Sequence, residues 1–169
     1  MEDGLDRLIA RVERVVVWVA GAGAVVVLVQ MLWISYGVFT RYGLGRPDRM
    51  VTEATALLLF PVAFAGLAFA LREDAFPKVT MLTDRLRPGV RRFFDIVNHI
   101  LMLGVGGFFA YAGVSASIRH FNSGVASEIL HWPRYLFWGP GAVALVLFTF
   151  YAALRLIRLI RRPASSGEL

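Results

Sequence analysis

The stretch VVVWVAGAGAVVVLVQMLWISYGVFT, residues 15–40, carries no charged side chain and is bounded by Arg14 and Arg41. A helix rises about 1.5 Å per residue and a bilayer's hydrocarbon core is about 30 Å thick, so roughly 20 apolar residues cross it. This run has length to spare, which predicts a tilted span. It is also much longer than the about 7–15 apolar residues of a cleavable leader. Its one small-residue site, Ala20-Gly21-Ala22, lies inside the run and not after it. The stretch reads as a retained membrane helix.

Three more charge-free windows follow at residues 54–71, 96–118 and 135–154. With their flanks they predict spans over about residues 15–40, 52–71, 93–118 and 134–156. Together these form one all-α membrane domain over residues 1–162, followed by a short polar tail at 163–169. Composition agrees. The chain of 169 residues is 57% hydrophobic and 18% charged, against about 45–50% and about 25% in soluble domains. A soluble protein this short could not bury that much apolar surface. The chain has no cysteine, which removes thiol nucleophiles, disulfides, thiolate zinc sites and iron–sulfur clusters.

The basic residues predict the orientation. Arg7, Arg11 and Arg14 lie in the N-terminal tail, and Arg155, Arg158, Arg161 and Arg162 in the C-terminal tail. The middle loop has six: Arg72, Lys78, Arg85, Arg87, Arg91 and Arg92. The other two loops hold only Arg41, Arg46, Arg49, Arg119 and Arg134. Four spans put both tails and the middle loop on one side, thirteen positive residues against five. The positive-inside rule then places both termini in the cytoplasm. The same distribution explains the net charge of +6 without nucleic acid, because these residues trace one face of a bilayer.

Punctuation fits these limits. Pro47, Pro88 and Pro133 each precede a span, where a first-turn proline costs no intrahelical hydrogen bond. Trp132, Trp138 and Tyr135 suit the outer interface of the fourth span. Pro61 and Pro140 fall inside spans and should free the carbonyls of Leu57 and Leu136 and kink their helices. Such breaks form ion sites in some transporters. Two stretches read as amphipathic interfacial helices: Leu5, Leu8, Ile9 and Val12 in the tail, and Val79, Leu82, Leu86 and Val90 in the middle loop.

Catalytic material is scarce. His99 lies near the cytoplasmic start of span three, while His120 and His131 lie at the outer ends of spans three and four. That spacing fits neither a haem held between helices nor a metal motif. No phosphate loop, nucleophile elbow or metalloprotease motif is present. The deep parts of the spans hold no Asp, Glu, Lys or Arg, whereas ion-driven carriers generally place such a group near the midplane. They hold small residues instead, Ala20–Ala24 in span one and Gly106, Ala110 and Gly113 in span three, suited to close helix packing. No catalytic, metal or cofactor site is expected in this chain.

Several short pieces recur in a telling order. Phe39-Thr40-Arg41-Tyr42 closes span one and Glu53 opens span two. Gly66-Leu67-Ala68-Phe69-Ala70-Leu71-Arg72-Glu73 closes span two, and Lys78-Val79-Thr80 leads into the basic stretch. This arrangement resembles the DctQ-like small membrane subunit of tripartite ATP-independent periplasmic (TRAP) transporters, over roughly residues 15–160. Phe76 stands where the family often has His, Thr80 where it often has Asp, and Glu53 alone represents a common acidic pair.

The resemblance implies a multi-pass subunit of a bacterial inner membrane that takes part in secondary active transport. Its partners would be a periplasmic protein that captures an organic anion, typically a carboxylate, and a large multi-span subunit. That large subunit would hold the sodium and substrate sites and move as an elevator. The small subunit would enlarge the fixed scaffold and help dock the binding protein. Arg41, Tyr42, Glu53, Gly66, Arg72, Lys78, Trp132 and Pro133 are its candidate structural and interface residues. Arg41 and Glu53, of opposite sign at similar depth, are expected to pair, with Tyr42, Arg49 and solvated headgroup contacts as the competing partners. The alternative is a stand-alone four-helix membrane protein, a homo-oligomeric exporter or a membrane enzyme.

Overall fold

The computed structural model describes residues 2–46, 48–76 and 88–161. Its helices are α1 (Glu2–Tyr42), α2 (Arg49–Ala65), α3 (Leu67–Arg72), α4 (Pro88–Ser123) and α5 (Tyr135–Arg161). With α2 and α3 taken as one interrupted span, four segments among the described residues are long and apolar enough to cross a membrane. The all-α architecture is as expected. The helices run further than the charge-free windows, because charged residues at a span's ends do not break its hydrogen-bond ladder.

The N-terminal tail departs from expectation. It forms no separate interfacial helix but continues into α1, since no proline or run of glycines interrupts residues 5–16. Its apolar stripe is in phase with that of the span. Ile9, Val12 and Val16 are buried in one cluster with Ala68 and Leu71 of α3 and Phe148, Tyr151, Ala152 and Leu154 of α5. The stretch therefore packs on protein. The second expected amphipathic stretch falls largely within 77–87, outside the described residues.

Span two also differs. The helix passes through Pro61 and breaks at Gly66, which ends α2 with its N–H donating to Phe64 O and starts α3 directly. In α5 the helix likewise continues through Pro140. Both prolines line one recess of about 360 Å³ between α1, α2 and α5, beside Ala22 and Gly23. Its lining is apolar, so it offers no ion ligand from a side chain.

The centre of the bundle is α5. It contacts each of the other helices, most extensively α4. The small residues of α4 face it: a side chain at Gly106 would collide with Phe148, and Gly113 lies over Ala142 and Leu145. On α1 only part of the small-residue run is used this way, with Gly23 against Ala65 while Gly21 faces open space. Close backbone approach yields the van der Waals contact that lipid does not outcompete.

Candidate functional site

The connection between α4 and α5 folds into a short hairpin. Ala126 and Pro133 form an antiparallel bridge, Ser127 N donates to Trp132 O at 2.8 Å, and Arg134 N donates to Val125 O at 3.1 Å. Ser127 is 2% exposed, and its Oγ accepts from Trp132 N at 3.2 Å. Gly124 (φ 61°) and His131 (φ 54°) take the left-handed conformation on either side of the turn. At Gly124 the absent Cβ removes the cost of that conformation.

Successive backbone N–H groups at the hairpin's tip converge on a single side chain. Glu53 of α2 accepts from Glu128 N at 2.7 Å and Ile129 N at 2.9 Å, and from Leu130 N at 2.7 Å. A carboxylate in such a nest of amides forms charge-assisted bonds, stronger than neutral ones. Arg134, at the base of the hairpin, adds an attractive charge. The clasp fixes the hairpin to α2 and leaves Glu128, Ile129 and Trp132 exposed. The Trp132 ring stacks on Phe137 with 6.3 Å between centroids, which holds it at the rim.

Glu53 and the neighbouring pair Trp132 and Pro133, candidates from two distant parts of the sequence, thus meet in one structure. The expected Arg41–Glu53 pair does not form. Both oxygens of Glu53 are taken by the hairpin, and the Arg41 guanidinium lies 5.6 Å from the centre of the Tyr42 ring. Backbone donors presented by a rigid turn outcompete a flexible arginine, which keeps its solvation. Arg41 and Tyr42 line a separate cleft between α1 and α2.

Gly66 and Arg72 lie toward the opposite end of the bundle. Gly66 separates α2 from α3, and Arg72 ends α3 with an ion pair to Glu73 at 3.0 Å. Lys78 is outside the described residues. That end is built from residues the sequence did not single out. Tyr151 Oη donates to Glu13 Oε1 at 2.9 Å. Arg155 donates to Leu71 O and, at 2.9 Å, to Asp74 Oδ1, while Arg92 donates to Leu159 O and Ile160 O at 3.3 Å each. Asp74 has φ 52°, the left-handed turn that ends the span. One signal was available in the sequence: a tyrosine one turn before an arginine, at the end of an apolar span, needs a polar partner.

The histidines are dispersed. His99 contacts the Asp95 carbonyl at 2.9 Å, and His120 packs on the Trp138 ring at 5.3 Å. Among the described residues no three His, Asp or Glu side chains gather as a metal site would require.

No curated protein and no solved structure matches the chain. The family described as tripartite ATP-independent periplasmic transporters, DctQ component, matches over residues 30–162. That match takes in the Glu53 clasp, the hairpin and every candidate residue. The chain belongs to the DctQ family, the small multi-pass membrane component of TRAP transporters, which is not an enzyme and works with the other TRAP components.

Proposed function

We propose that this subunit is a fixed scaffold in the uptake of organic anions, carboxylates in particular, by a secondary transporter of a bacterial inner membrane. Its hairpin end faces the periplasm and helps dock the binding protein, and both termini are cytoplasmic. The large subunit carries the sodium and substrate sites. One observation carries the docking role: Glu53 spends its carboxylate on three hairpin amides, so that an exposed Glu128, Ile129 and Trp132 are presented on a rigid edge. The distribution of basic residues supports the orientation. The lack of ionisable side chains deep in the spans suits a subunit that handles no ion itself.

Reconstitution in liposomes tests this reading. Uptake should need all three components, and Trp132→Ala should raise the binding-protein concentration needed for half-maximal uptake while leaving the subunit's thermal stability intact. Transport by this chain alone would revive the stand-alone exporter. The native chain lacks cysteine, so Ser123→Cys and Ser165→Cys report sidedness cleanly. Labelling of Ser165→Cys from outside intact cells would reverse the orientation.

A further inference from the structure

Between the last two turns of α1 and the first two of α2 lies an open cleft of about 530 Å³. Its composition is graded. On the α1 wall Ile34 and Val38 line the part nearer the membrane interior, with Thr52 and Thr55 facing them from α2, while Arg41, Tyr42, Arg49 and Val51 stand at the end of the spans. Among the described residues neither arginine has a carboxylate within ion-pair distance. Asp48 also lines the cleft, but its carboxylate caps α2 by accepting from Met50 N at 2.8 Å. Two guanidinium groups and one carboxylate leave one net positive charge at the mouth. Thr55, on the facing α2 wall, has a buried hydroxyl with no hydrogen-bond partner among the described residues.

We propose that this cleft holds one anionic phospholipid, its phosphodiester between Arg41 and Arg49 and an acyl chain along Ile34 and Val38. Along the α1 wall the gradient matches an amphiphile in both polarity and direction. A phosphodiester carries one negative charge, which the mouth would neutralise. The Arg41 and Arg49 forks suit phosphate oxygens, and Tyr42 lies at the depth where aromatic rings meet headgroups. A small soluble anion would satisfy the arginines but leave the apolar wall empty. The proposal is independent of the docking role, since it uses neither Glu53 nor the hairpin.

The full chain, purified in mild detergent and stripped of lipid, is titrated with phosphatidylglycerol, phosphatidylcholine or inorganic phosphate. Bound lipid is read by native mass spectrometry and by the shift in melting temperature. Phosphatidylglycerol should bind and raise the melting temperature, and the other two should have little effect. Arg41→Gln with Arg49→Gln should weaken that binding by about tenfold or more, as expected when two interfacial cations are lost. Arg119→Gln, which removes a charge from α4 at the same end, should not. Val38→Trp, which fills the apolar wall and leaves the arginines in place, should also exclude the lipid and serves if the double variant fails to fold. Equal effects of inorganic phosphate would make this a free-anion site and overturn the proposal. Equal binding of phosphatidylcholine, or unchanged lipid binding in the cleft variants, would overturn it too.

Discussion

The two ends of the bundle are fastened by opposite means. At the hairpin end one carboxylate, Glu53, gathers three backbone amides from a turn more than seventy residues away. At the termini end, several side chains share the work across α1, the α3 turn and α5: Glu13 with Tyr151, Arg155 with Leu71 O and Asp74, and Asp6 with Arg158 at 3.6 Å. The first is a single point that holds a loop. The second is distributed and sits against the buried cluster around Val16 and Tyr151. Loss at the hairpin end should therefore be local and complete, whereas loss at the termini end should be partial and felt by the whole bundle.

The sharpest break of that contrast is Glu53→Ala. The amides of Glu128, Ile129 and Leu130 lose their shared acceptor, and the hairpin keeps its bridge, the Ser127 contacts and the Trp132–Phe137 stack. Hydrogen exchange at those three amides should accelerate by about tenfold or more, in the manner of a local opening. Exchange in α4 and α5 should hardly change. If exchange rises throughout the bundle, the clasp is a global fastening and the contrast fails.

Next in size is Arg155→Met. The stem still packs, but the Leu71 carbonyl and Asp74 each lose a guanidinium donor at the turn after α3, while Leu71 O keeps the Asp74 N–H at 3.3 Å. Losing hydrogen bonds from a charged donor costs about 1–3 kcal/mol, which chemical or thermal unfolding in detergent would measure. Because α3 touches both α1 and α5, the loss should appear as a lower global midpoint. A normal midpoint with faster exchange confined to the α3 turn would make this end as local as the other.

Tyr151→Phe is gentler. The ring stays fully buried among Val16, Ala68 and Phe148, and only the hydroxyl's bond to Glu13 is lost. Glu13 is half-buried and can recover water, so about 1 kcal/mol is expected. Tyr151→Ala would be far worse, since it empties the core; the difference between the two separates packing from hydrogen bonding.

Much of this molecule is legible in its sequence because the bilayer imposes one length and one polarity on every span. Four charge-free windows located the helices, and Gly106 and Gly113 marked the face of α4 that meets α5. Helix continuity was harder to read. Arg14 ended the first window, yet α1 runs on through it, because a charged side chain at a span's edge disturbs no backbone hydrogen bond. The partner of Glu53 was illegible for a different reason. Its donors are backbone amides, which every residue but proline has, and only the turn around Gly124 and His131 aims them together. A charge count sees Arg41 as the natural partner and cannot see the amides.

That misreading suggests the last and smallest effect. If Arg41 and Glu53 paired, each would lose its partner when the other was removed, and the double variant would be less destabilised than the sum of the singles. In this structure Glu53 belongs to the hairpin, while Arg41 lies beside Tyr42 at the α1–α2 cleft. The two share no contact, so their losses should be independent. Glu53→Gln should lower the melting temperature through the hairpin, Arg41→Gln should do so only slightly, and the double variant should equal their sum within error. The measurement is a three-variant melting series in lipid-free detergent, where occupancy of the cleft cannot add a coupling of its own. A double variant clearly more stable than that sum would mean that Arg41 swings to Glu53 when the hairpin lets go. The clasp would then be one of two states of Glu53, and the hairpin end would have a second fastening after all.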